Sequence, residues 1–298
     1  MDAPTTTVSD LDVEPLARVF STGILRELAR RGRSARLARL LSESGVSSAV
    51  PRHTRLAQVY EFAFDLTKSR KVRHDYTYRA ALIERSLLGT HSLRSASLVW
   101  EFRTGARRAD AVLLNGSSVA FEIKSDRDSL SRVTEQLQAF LQVFETTNLV
   151  VGERHVDAAL GRAPREVGVL TLTDHLRFRT IRKAVPDLGR ICSLAVLDSV
   201  SLSEAESMLA RLGVTPPSVP NTERYAALRD IFAHQSSRLV HAAMVDTLKV
   251  TRSALPYADL LKRMPPVLYA LVLAVRPPQR HWGRLCESMN LELHEIMR

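Results

Sequence analysis

Three residues set the chemistry to look for: Asp110, Glu122 and Lys124. Asp110 lies in Arg108-Ala109-Asp110-Ala111-Val112-Leu113-Leu114, and Glu122 and Lys124 lie in Val119-Ala120-Phe121-Glu122-Ile123-Lys124. Both segments read as short strands, and side chains two apart on a strand share a face. Glu122 and Lys124 therefore share one face, while Phe121 and Ile123 turn to the core. Two carboxylates and an ammonium on adjacent strands make a hard-oxygen site suited to Mg²⁺ or Mn²⁺. Such an ion stabilises charge on a phosphate, and the lysine orients or deprotonates a water. The plainer reading of Glu-x-Lys alone is a surface ion pair; Asp110 upstream weighs against it.

The elements around these residues must bring them together. Asn115-Gly116 is a strong hairpin signal. A two-residue turn there would pair Leu114 with Ser117 and turn Asp110 away from Glu122. A three-residue loop over 114–116, with Gly116 left-handed, pairs Leu113 with Ser117 and sets Asp110 opposite Ala120, on the face of Glu122. An irregular loop is thus required if the site is real.

Around the hairpin the texture is mixed. A strand is expected at about 98–103, a helix at 128–144 capped by Asp126 or Asp128, strands at 148–152 and 167–172 with a short helix at 154–161 between them, and an edge strand at 177–185. Before this core, helices are expected at 13–41, 54–67 and 76–88, with residues 1–12 frayed. After it, from about 202, Pro216-Pro217, Pro265-Pro266 and Pro277-Pro278 suggest three or four packed helices. The expected plan is 1–75 helical, 76–185 mixed α/β core, 186–298 helical.

The chain has 298 residues and a formal net charge of +10. Six of its 42 basic residues are lysines, so a lysine inside a motif carries weight. Arg30, Arg31, Arg33, Arg36 and Arg39 form a basic helical stretch, read either as a solvated face or as a phosphate-contacting one. Positive charge favours nucleic acid as a partner. No apolar run reaches the ~18 residues that span a membrane. The N-terminus lacks the order of a signal peptide, and Cys192 and Cys286 make no disulfide framework. A cytoplasmic protein is expected. Phosphate-loop, HExxH and GxSxG motifs are absent.

Asp110, eleven residues, then Glu122-Ile123-Lys124 resembles the PD-(D/E)XK motif of the restriction-endonuclease-like nuclease superfamily, with Ala109 in place of the usual proline. The order helix, three antiparallel strands, helix, strand over 76–172 resembles that superfamily's core. Gln136-Leu137-Gln138-Ala139-Phe140 resembles the Gln-x-x-x-Tyr helix of its RecB-like members, with phenylalanine for tyrosine. The segment from Arg108 to His155 also resembles a small bacterial family with this core, some members of which neighbour phage-defence or mobile-element genes. The resemblance implies an α/β, restriction-endonuclease-like mixed sheet flanked by helices, and a Mg²⁺- or Mn²⁺-dependent deoxyribonuclease. Asp110, Glu122 and the carbonyl of Ile123 would hold the metal, Lys124 would position water, and Gln136 would support it. Glu84 or Glu101 would add a third acid. A homodimer or an operon-encoded protein partner fits this reading. The alternatives are a non-catalytic DNA-binding or assembly subunit of the same fold, and an RNase or toxin using the same site.

Overall fold

The computed structural model describes residues 11–68, 73–85 and 93–298. The expected fraying at the N-terminus and the end of the 76–88 helix fall largely outside them. The chain forms two compact units, one of 1–83 with 256–298 and one of 84–255. These lines differ from the expected three-part division: the helices between 188 and 255 group with the sheet, and the last 43 residues group with the N-terminal helices.

The helical unit begins with α1 (Val13–Ala17), α2 (Thr22–Arg31), α3 (Ala35–Glu43), α4 (Val46–Ala49), α5 (Leu56–Thr67) and α6 (Asp75–Ile83). The expected single helix over 13–41 is three, because capping residues interrupt one apolar stripe. Ser21 accepts from the Ile24 amide, Gly32 ends α2 with φ 76°, and Ser34 accepts from the Leu37 amide. Leu16, Ile24, Leu25, Leu28, Leu37 and Leu40 are buried along that stripe. Arg30, Arg31, Arg33, Arg36 and Arg39 are all exposed.

The second unit carries one six-stranded sheet in chain order: β1 (Ser97–Thr104), β2 (Arg107–Leu114), β3 (Ser118–Lys124), β4 (Thr146–Val151), β5 (Gly168–Leu172) and β6 (Phe178–Arg182). β1, β2 and β3 are antiparallel, β3, β4 and β5 are parallel, and β6 returns antiparallel at the edge. The parallel crossovers run through α7 (Val133–Leu141) and α8 (Val156–Arg162). Val112, Leu114, Ala120, Leu149 and Val169 form a core with Val133, Leu137 and Phe140 of α7.

Beyond the sheet, α9 (Ser193–Leu197), α10 (Leu202–Arg211), α11 (Arg224–Ala233) and α12 (Ser237–Thr251) extend the same core. Glu204 of α10 takes two bonds from the Arg252 guanidinium, at 2.8 and 2.7 Å, and that guanidinium lies 4.7 Å from the Phe102 ring centroid. Burial pushes the Glu204 carboxyl up, but the bonds from Arg252 and Ser201 outweigh it and hold the pKa near about 2.

The chain then returns to the helical unit with α13 (Ala258–Leu261), α14 (Tyr269–Val275), α15 (Trp282–Asn290) and α16 (Leu293–Ile296). The region from 202 onward thus holds seven helices rather than three or four, since the proline pairs are not its only breaks. Further breaks between α-helices fall at 234–236, 252–257 and 291–292, away from those pairs. Among the described residues no helix is long and apolar enough to cross a membrane.

Candidate functional site

The β2–β3 turn decides where Asp110 points. Leu114 pairs with Ser118 and Ala111 with Phe121, leaving Asn115-Gly116-Ser117 as a three-residue loop. Gly116 has φ 71°, a conformation that costs a glycine little. The loop is irregular, as the site requires, but lies one residue later than expected. Leu114 is fully buried and stays in the strand, while Ser117 leaves it. Continued past Ala111 and Phe121, this register sets Asp110 directly across from Glu122 rather than Ala120.

The ladder between β2 and β3 stops at that point. The Ile123 amide donates to Asp110 Oδ2 at 2.7 Å. The N–H and C=O of one strand residue point to the same edge. The Ile123 carbonyl therefore turns toward the same gap.

On the other side of Asp110, β1 is also irregular. Val99 pairs with Val112, and Phe102 with Ala109. All four belong to one core cluster, although strict alternation over three residues would separate the two pairs. The slip falls at Glu101, whose φ is 51°. A non-glycine residue there stores about 1 kcal/mol or more of strain. Glu101 is exposed, stands across from Asp110 in the register and lies 3.7 Å from the Arg108 guanidinium. Glu101, Asp110 and Glu122 thus occupy successive strands in one row.

Glu122 is the centre of the group. It is 2% exposed, and its Oε1 meets Lys124 Nζ at 2.7 Å and Gln136 Nε2 at 2.8 Å. Its Oε2 is buried without a hydrogen-bond partner, and so is Gln136 Oε1. Burial raises the Glu122 carboxyl pKa; the charge and bond of Lys124 and the bond of Gln136 pull it back, and the charge of Glu101 adds to the rise. The lone Oε2, the Asp110 carboxylate and the Ile123 carbonyl are all oxygen donors, as Mg²⁺ or Mn²⁺ prefers. The residues present fit such an ion.

The remaining expectations divide. Phe140 is fully buried with its ring edge-on to Phe144, so it is packing. Glu84 is exposed, and its neighbour Arg85 lies over the Phe178 ring at the β6 edge. Neither Asp126 nor Asp128 caps α7, which begins at Val133 after Arg132. The eight residues after β3 form a loop instead, in which Asp128 Oδ2 accepts from the Ser125 amide and hydroxyl.

Gly152 is the residue that sequence reasoning missed. Its amide donates to the Lys124 carbonyl at 3.0 Å. A Cβ on it would stand 2.1 Å from Asp126 Oδ1, which accepts from the Arg154 amide. Gly152 therefore lets the loop after Lys124 close onto the end of β4. A glycine directly after an apolar strand was the available signal.

Residues 68–253 match the family model described as Bacteriophage P4 protein cII. That span nearly coincides with the sheet unit. The chain is similar to "Protein cII" of Enterobacteria phage P4, 36% identical over 117 residues, which make up 37% of this chain and 42% of that protein. The chain thus spans less than half the length of that relative. No solved structure matches the chain.

Proposed function

The chain belongs to the Bacteriophage P4 protein cII family, and within it we propose a metal-dependent nuclease that hydrolyses phosphodiester bonds of DNA at the Asp110, Glu122 and Lys124 group. One observation carries this reading: Glu122 is buried, bonded at one oxygen and unpartnered at the other, beside a second carboxylate. A buried, half-satisfied carboxylate costs stability, and such groups concentrate at functional sites.

In this reading Asp110, Glu122 and the Ile123 carbonyl hold Mg²⁺ or Mn²⁺, with Glu101 as the neighbouring third acid. The ion, when bound, would neutralise phosphate charge and acidify a water. Lys124 holds Glu122 and presents its remaining protons toward the attacking water. Gln136 fixes the same carboxylate from α7. The antiparallel β1–β3, then α7, then β4 parallel to β3 support a restriction-endonuclease-like core. The exposed arginines of α2 and α3 suit a phosphate backbone. A role in phage defence or mobile-element biology, as a homodimer or with a partner protein, is part of this proposal.

The test is to incubate the full chain with plasmid, linear and single-stranded DNA, and with RNA, with Mg²⁺ or Mn²⁺, beside Lys124→Ala. Cleavage lost in the variant is expected; cleavage that survives it overturns the assignment of Lys124. The burial of Phe140 favours a second reading, because position 140 offers the site no hydroxyl. If clean wild-type protein cuts no nucleic acid, a non-catalytic DNA-binding or assembly subunit is the better account. Cleavage of RNA alone would make it an RNase using the same residues.

A further inference from the structure

We propose that His53, Glu292 and His294 form a second metal site, one that takes Zn²⁺. All three lie in the helical unit, so the site is independent of the nuclease proposal. One ring nitrogen from each histidine and one carboxylate oxygen all lie within 4.8 Å of one another. Glu292 Oε2 stands 2.7 Å from His53 Nδ1 and 3.2 Å from His294 Nδ1. Around a tetrahedral Zn²⁺ with bonds of about 2.0–2.1 Å, ligand atoms sit about 3.3 Å apart. The His294 side already has that spacing, and His53 needs to move back by about half an ångström. Its side chain is 81% exposed and free to do so.

The backbone assembles the three ligands. The Leu56 amide donates to the Leu291 carbonyl, the Leu293 amide to Thr54, and the His294 amide to Arg52. Arg55 and Glu292 form an antiparallel bridge. Two short segments, with His53 and Glu292 lying 239 residues apart in sequence, are thus zipped together, His53 on one and Glu292 and His294 on the other. The Arg52 carbonyl also lies 3.3 Å from His294 Nδ1, and the two imidazole rings are 5.5 Å apart, edge to face.

Two imidazoles and a carboxylate are borderline donors, which suit Zn²⁺ and distinguish this site from the all-oxygen row in the sheet unit. Three protein ligands leave a fourth position. His53 and His294 also line a cavity of about 590 Å³, with Ser47, Ser48, Arg52 and Arg298 on its wall. A water or a small anion fits there.

The experiment uses the full chain, dialysed against Zn²⁺ with excess Mg²⁺ to occupy oxygen-only sites, followed by metal analysis and thermal unfolding. Expected are one retained Zn²⁺ per chain and a higher unfolding midpoint with the metal. His53→Ala, at a position with no core to disturb, weakens Zn²⁺ at least about tenfold, since even outer-shell losses cost that much. Asp110→Ala leaves it unchanged. Co²⁺ in place of Zn²⁺ gives the visible spectrum of a four-coordinate nitrogen–oxygen site. Wild-type protein that retains no Zn²⁺ overturns the proposal. So does His53→Ala binding it as tightly as wild type, or a loss caused by Asp110→Ala alone.

Discussion

The carboxylate of Asp110 accepts the backbone amide of Ile123, where the ladder would otherwise turn to the carbonyl of Ala109. One side chain thus satisfies a strand donor and presents charge at the end of a hairpin. The two duties separate by substitution. Asp110→Asn keeps an acceptor oxygen and is expected to stay within about 1 kcal/mol of wild type while losing DNA cleavage. Asp110→Ala leaves the Ile123 amide without its partner and is expected to cost about 1–3 kcal/mol as well. Urea unfolding beside a cleavage assay checks both, and equal stability of the two variants would contradict the capping role.

Lys124 and Glu122 are unequal partners. Removing the ammonium in Lys124→Ala leaves a buried carboxylate held by Gln136 alone, and about 1–3 kcal/mol of destabilisation is expected. Glu122→Gln keeps both bonds without the buried charge and should cost less. In the double variant the loss should fall well short of the sum, as shown by a double-mutant cycle in urea. Additive losses would mean that the pair is not coupled in the folded protein.

A methyl group at Gly152 meets Asp126 at 2.1 Å, and the carboxylate can swing away only by releasing the Arg154 amide. Gly152→Ala is therefore expected to cost about as much as Asp126→Ala, on the order of 1 kcal/mol. Adding the second substitution to the first should cost little more. Because Gly152 also holds the Lys124 carbonyl, cleavage should slow in Gly152→Ala even where most of the protein remains folded. A full additive loss would place the constraint elsewhere.

Ser118 and His241 meet inside the sheet unit, Oγ to Nε2, at 2.7 Å. Ser118 Oγ also accepts from the Glu145 amide at 3.0 Å, so one hydroxyl ties β3 both to α12 and to the segment before β4. Burial lowers the His241 pKa to about 4. The unfolded chain takes up this proton first, so stability falls as pH drops from about 6.5 through about 4. The contribution is at most about 3 kcal/mol. Unfolding measured across that range should show a shallower slope in His241→Gln; an unchanged slope would assign the acid sensitivity to other groups.

Much of the sheet was legible because its signals are local. The apolar and aromatic residues of β1, the Asn-Gly turn and the apolar runs of β4 and β5 each sit within a few residues of what they specify. The Glu122–Lys124 pairing follows from the same period of two. The exact register of Asp110 did not, because two neighbouring loops satisfy the turn chemistry and only the burial of Leu114 separates them. The breaks within 13–41 were hidden because Ser21, Gly32 and Ser34 interrupt the backbone without interrupting the apolar stripe. The contact of Gly152 with Asp126, and that of His53 with Glu292, depend on segments distant in sequence, where no periodicity reaches.

The sheet's strand order is also its chain order. From Glu101 to Gln136 the row of acids, the lysine and the supporting amide come from one uninterrupted stretch. None waits for a strand delivered from the far end of the chain. Contacts of short sequence separation close with little loss of chain entropy. The hairpins carrying Glu101, Asp110 and Glu122 are therefore poised to form early in refolding, before α12 arrives to lay His241 against Ser118.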